Sequence, residues 1–308
     1  MVRAGHQWSV HWEAYRRYHG HLRGRFDIVI DEVNTMPFFT PIWAGIPVFM
    51  LIFQLAREVW WYESRFPINA VGYALEPLYL RLYRRTRVFT ISNSTQADLR
   101  RLGFRNRITV VPIGIEPISV DEVHRGPSET LLYVGRLAPS KRVDDILKAT
   151  AMVRREFPNT RLSLVGDGPL SYLGRLRRLA ERLGIAPAVE FCGRVAAAEK
   201  HRRMAAAEAL LMASAREGWG LVVTEANACG TPAIVYDVPG LRDAVLNEQT
   251  GLVVPPTPDH LAAAICRLLR DSELRDRLGA QARRWSATFS FDRAAEIIND
   301  QIAAGITP

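Results

Sequence analysis

Six short apolar runs set the fold of the second half of this chain: Leu131–Val134, Arg161–Val165, Val189–Cys192, Ala209–Ala213, Ala233–Val235 and Leu252–Val254. Three to five residues with little polar alternation suit strands buried on both faces, not strands with one wet face. Segments of helical period lie between them; Val143, Ile146, Leu147, Thr150 and Val153, for example, share one helix face. Strands alternating with helices predict a parallel sheet covered on both sides, here a six-stranded doubly wound α/β domain.

The first half carries the same rhythm less completely. Predicted strands are Phe26–Ile30, Val48–Phe53, Arg87–Ser92 and Ile108–Pro112. A helix is expected over Leu75–Arg85 with Pro77 in its first turn, and another from a Ser94 cap through Leu102 to a Gly103 stop. Near the start, Trp8, Trp12, Tyr15, His19 and Leu22 recur at helical spacing. Glu116–Glu129 is polar and broken by Pro and Gly, as a linker would be. The expected division is 1–118, 119–290 and a last helix in 291–308, over Phe291–Ile302, outside the strand–helix rhythm.

Of the net charge of +8, residues 1–118 hold 15 Lys/Arg against 9 Asp/Glu, a net +6. A basic half suits an acidic partner, a phosphate-bearing ligand or an anionic membrane surface. Trp43, Trp60 and Trp61 with Arg81, Arg84, Arg85 and Arg87 could make such a membrane contact, or be ordinary core and solvated Arg. Val33–Ala56 holds no charge, but Pro37, Pro41 and Pro47 interrupt it, so buried strands and a packed loop are expected rather than a membrane span. Cys192, Cys229 and Cys266 are isolated, with no metal-binding spacing, which fits a reducing cytoplasm. His6, His11, His19 and His21 read as packing or solvated positions, not a metal site. No aromatic-basic motif points to nucleic acid.

The chemistry lies in the turns after the strands of the second half. Ser214–Pro232 reads strand end, glycine loop, short helix, turn. Gly218 and Gly220 admit a ligand to the helix N-terminus, where N–H groups and the dipole favour an anion. Glu217 in the loop and Glu225, about two turns into the helix, suit sugar hydroxyls rather than phosphate; both could also be solvated. Arg136 and Lys141 follow the first strand and could grip a pyrophosphate, or simply be solvated. Asp167, in Val165-Gly-Asp-Gly-Pro169, is expected to cap the next helix. Val195 follows Gly193 after the third strand and could pack on a planar base.

Taken together, YVGRLAPSKR, LVGDGP, FCGRV, SAREGWGLVVTEANACGTPAIVYDVPGLRD and TGLVVPP, within Leu131–Pro256, closely resemble the family 4 retaining glycosyltransferases of the GT-B fold. The resemblance implies two Rossmann-like domains facing across a cleft, with the last helix crossing back to the first. It implies transfer of a hexose-type sugar, with retention, from a UDP- or GDP-linked donor to a glycan, lipid-linked or small acceptor. It assigns the donor diphosphate to Arg136 and Lys141, the transferred sugar to Glu217, the backbone of Gly218, Trp219, Gly220 and Leu221 to sugar and phosphate, the ribose to Glu225 and the base to Val195. Catalysis would rest on Glu217, Arg136 and Lys141, with neither metal nor cofactor, in the cytoplasm or at the inner face of the membrane.

Two departures stand against it. Residues 1–25 lack the family's first strand and glycine-rich loop, so the first domain reads as truncated. Phe53 stands where a His commonly follows the strand. A non-catalytic or truncated sugar-nucleotide-binding protein is therefore the alternative.

Overall fold

The computed structural model describes residues 9–118 and 129–306. The chain divides into two compact units, Met1–Pro112 with Asp292–Pro308, and Ile113–Phe291. Trp8, His6 and most of the expected linker lie outside the described residues.

The first unit holds β1 (Val29–Val33), β2 (Val48–Ile52), β3 (Arg87–Thr90) and β4 (Ile108–Val110) in one parallel sheet of that order. One face packs Met50, Ile52 and Val88 against Leu80, Tyr83 and Leu99. The other packs Phe49, Phe89 and Val111 against Ile297, Ile298 and Ile302 of the last helix, Phe291–Ile306. The uncharged stretch Val33–Ala56 resolves into the end of β1, a helical turn at Thr40–Trp43, and β2. Among the described residues no helix is long and apolar enough to cross a membrane.

Several local expectations shift here. β1 starts at Val29 and Phe26 is exposed, because Val29–Val33 is the stretch that reaches register with Val48–Ile52. The helix expected from Leu75 instead runs Ile68–Leu80 with Pro77 inside it. Proline removes one ladder hydrogen bond there, and the neighbouring turn is tied elsewhere by Glu76, whose carboxylate accepts from the backbone N–H of Ala56 and Arg57 at 2.6 and 2.7 Å. The cap of Asn93–Arg101 is Ser92, not Ser94: Ser92 is the last extended residue, and its Oγ accepts from Thr95 N at 3.2 Å. The first helix, Val10–Arg17, passes into a π-helical turn at Tyr18–Leu22, which breaks the expected face. Tyr18 is buried, whereas Trp12 and Tyr15 are exposed.

The second unit carries β5 (Thr130–Val134), β6 (Arg161–Val165), β7 (Val189–Gly193), β8 (Ala209–Met212), β9 (Ala233–Tyr236) and β10 (Gly251–Val254). All pairs are parallel, in the order β10-β9-β8-β5-β6-β7. Leu131, Leu132, Tyr133, Leu210, Leu211, Ile234 and Val235 are fully buried, as apolar runs covered on both faces must be. The helix Val143–Val153 buries all five residues of its predicted face.

Candidate active site

β5 and β8 are neighbours, yet the chain leaves them in opposite directions. From β5 it continues to β6 and β7; from β8, to β9 and β10. Loops that diverge from adjacent strand ends leave a crevice, the usual ligand site of an open α/β sheet. One of these loops carries Arg136 and Lys141, the other Glu217, Gly218 and Gly220.

Lys141 and Glu217, 76 positions apart, meet in this crevice with Nζ 2.5 Å from Oε1. Their side chains are 21% and 14% exposed, so the pair can still be reached from solvent. Ser214 Oγ donates to the same oxygen at 2.7 Å. The backbones are joined as well, Ala215 N donating to Ser140 O at 2.8 Å. Arg142, next to Lys141, is anchored: its guanidinium lies 2.6 Å from buried Asp145 and 5.1 Å from the Tyr236 ring centroid. Arg136 has an exposed side chain, and its carbonyl accepts from the Tyr133 hydroxyl at 2.8 Å. Burial, and then the charge of Glu217, push the Tyr133 phenol well above its ordinary range, so it stays a donor.

The backbone of Glu217 is held by Pro239, whose carbonyl accepts its N–H at 3.0 Å. Gly240 lies directly against it: a Cβ there would sit 2.1 Å from the Glu217 carbonyl oxygen, and φ is +84°. Gly220, at φ +103°, is the N-cap of the helix Leu221–Ala228, and no side chain caps that end. The positive end of this helix thus opens beside the crevice loop. Gly218 is half-buried and Leu221 exposed. The Trp219 side chain is buried, with Nε1 donating to Thr224 Oγ1 at 2.9 Å and the ring edge-on to Phe289 at 5.4 Å. Only its backbone is available to a ligand.

Glu225 is the fifth residue of that helix, one turn in rather than two. It meets Lys200 of the helix Ala197–Ala206, Nζ to Oε2 at 2.7 Å. Lys200 and Ser214 were not singled out from the sequence. A signal for Lys200 existed: it is one of only three lysines among 40 basic residues, and the other two, Lys141 and Lys148, also pair with carboxylates.

Val195, half-buried, lies in the loop after β7. The loops after β5, β6 and β7 are stitched together by Gly135 N to Val165 O at 2.9 Å, Leu137 N to Asp167 O at 2.7 Å and Gly166 N to Gly193 O at 2.8 Å. Asp167 is not a helix cap. Pro169 holds the N-cap position of Leu170–Arg182, where no side chain bonds, and the exposed Asp167 carboxylate lies 3.9 Å from Arg194. The Gly-Asp-Gly-Pro turn is fixed through backbone atoms instead.

The family model described as glycosyl transferases group 1 matches residues 115–285. A D-inositol 3-phosphate glycosyltransferase of Jonesia denitrificans is 35% identical over 173 residues, 54% of this chain and 41% of that protein. A glycogen synthase of Mycobacterium tuberculosis is 34% identical over 189 residues, 60% and 45% of the two chains. The chain thus spans less than half the length of these curated relatives. Among solved structures, sucrose-phosphate synthase from Thermosynechococcus elongatus superposes with a TM-score of 0.76 at 23% identity, covering 94% of this chain and 77% of that one. Anabaena HepE in complex with UDP and glucose gives 0.77 at 19%, covering 94% and 80%.

Proposed function

The chain belongs to the glycosyl transferases group 1 family, with GT-B architecture, and we propose that it transfers a hexose-type sugar from a nucleotide-diphosphate donor to a glycan, lipid-linked or small acceptor with retention of configuration. The observation that carries this reading is the Lys141–Glu217 contact at the switch point of the second sheet. A cation and a sugar-binding acid, side by side above a helix N-terminus, match the two halves of a sugar diphosphate. When the donor enters, Lys141 and Arg136 turn to the diphosphate, and Glu217 accepts from a hydroxyl of the transferred sugar. Negative charge grows on the departing nucleoside diphosphate, so these cations act more strongly on the transition state than on the bound donor. They supply the charge that a metal ion would otherwise bring. Glu225 accepts from the ribose hydroxyls, oriented by Lys200, and Val195 packs beside the base.

Incubation with a panel of UDP- and GDP-linked sugars, reading released nucleoside diphosphate, tests the proposal. Glu217→Gln keeps the shape and removes the charge, and should lower release by about tenfold or more. A variant within twofold of the native chain would sink the assignment. Phe53, 38% exposed just beyond β2, favours a second reading, binding without turnover. Donor binding with no release over the whole panel would support that one instead.

A further inference from the structure

The helix Ile68–Leu80 has its polarity reversed. An ordinary surface helix buries its apolar stripe and shows water its charges. Here Asn69 and Glu76 face inward and are buried, with Leu80 the one apolar residue buried beside them, and Glu76 is the only charged residue in the helix. The outward positions are Ile68, Val71, Leu75 and Leu78, continued by Leu82 in the following turn; all are between 45% and 63% exposed. Their spacing of three and four makes one continuous stripe about 21 Å long. Phe66, 81% exposed, extends it, and Trp61 and Tyr62 are exposed on the segment leading in.

The stripe is bordered by positive charge. Arg65 lies before the helix, Arg81 and Arg85 after it, and all three are exposed; the exposed acids of the segment leading in, Glu58 and Glu63, each already have a partner. The other basic residues singled out from the sequence point elsewhere: Arg84 Nε donates to Leu102 O at 2.7 Å and Arg87 Nη1 to Gln301 O at 3.3 Å. Trp60 is likewise turned inward, its ring lying where a side chain at Gly72 would be. We propose that this helix face is a docking surface for an anionic lipid bilayer. Aliphatic side chains would enter the acyl boundary, Trp61, Tyr62 and Phe66 would sit at headgroup depth, and the arginines would meet lipid phosphates.

Charge separates a bilayer from a second copy of this chain. A two-fold antiparallel pairing of the stripe sets Arg65 against Arg81 and Arg85 of the other copy, and a parallel one sets Arg65 against Arg65. Both bring arginine against arginine, offset only by Glu58 and Glu63, which already have partners, whereas an anionic surface neutralises all three arginines. The inference needs no sugar donor and stands or falls apart from the proposed activity.

Sedimentation of the full chain with phosphatidylcholine vesicles, with and without phosphatidylglycerol, tests it. The chain should pellet with the anionic vesicles, and high salt should release it. Leu75→Gln with Leu78→Gln should weaken partitioning roughly tenfold, and Arg81→Gln with Arg85→Gln should do the same roughly tenfold. These positions are exposed, so an unchanged thermal melt is expected for both pairs. No binding of the native chain to anionic vesicles would overturn the proposal, and so would leucine variants that bind as well as native. A native dimer that the leucine variants dissociate would overturn it in favour of self-association.

Discussion

Replacing Lys141 by Met removes the cation and keeps most of the aliphatic stem. A charge-assisted hydrogen bond to phosphate contributes about 1.5–3 kcal/mol. At about 1.4 kcal/mol per decade, that is roughly 10- to 150-fold in nucleoside-diphosphate affinity. The side chain is 21% exposed, so water shares the site and the lower half of that range applies. Folding should suffer less. Glu217 keeps its bond from Ser214 and is itself partly exposed, so loss of the ion pair costs about 1 kcal/mol or less. Isothermal titration with UDP and GDP measures the first quantity, and thermal unfolding the second. If Lys141 stabilises the leaving group, kcat must fall as well, and kcat/KM by more than donor affinity does, because that charge grows on the way to the transition state and is smaller in the bound donor. Lys141→Arg should recover part of the loss, since the charge returns in a wider, forked shape. A Met variant that binds diphosphate within twofold of native refutes the site. One that loses affinity at unchanged kcat refutes the leaving-group role alone.

Gly240→Ala places a methyl group 2.1 Å from the Glu217 carbonyl at φ +84°. It should cost about 1–3 kcal/mol of stability and, by displacing Glu217, about 100-fold in kcat/KM; native-like turnover would show that the Glu217 backbone position is unimportant. Burial above all pushes the Cys192 and Cys229 thiols up to about 11, with Glu190 and Glu225 adding to the shift, and raises Cys266 as well. Raised pKa values leave little thiolate, so at pH 8 Ellman's reagent should label the native chain slowly and all three thiols rapidly in denaturant; an immediate native equivalent would contradict this.

The sequence by itself determined the strands of the second unit, because a strand buried on both faces must be almost wholly apolar, and that constraint is local. It also marked the loops to which the proposed chemistry is assigned: glycine, paired cations and paired acids stand out against the runs around them. The same local reading misplaced the helix around Pro77, where the tie that holds the neighbouring turn comes from a buried glutamate, and it put a cap on Asp167 that backbone bonds had made unnecessary. Only the tertiary structure decided that Lys141 meets Glu217 and that Lys200 meets Glu225. Both contacts follow from sheet order and helix placement, which side-chain periodicity does not encode. Periodicity likewise shows that Ile68, Val71, Leu75 and Leu78 share a face, but not which way that face points. Burying Glu76 against the turn after β2 turned the helix, and left its apolar side to the solvent.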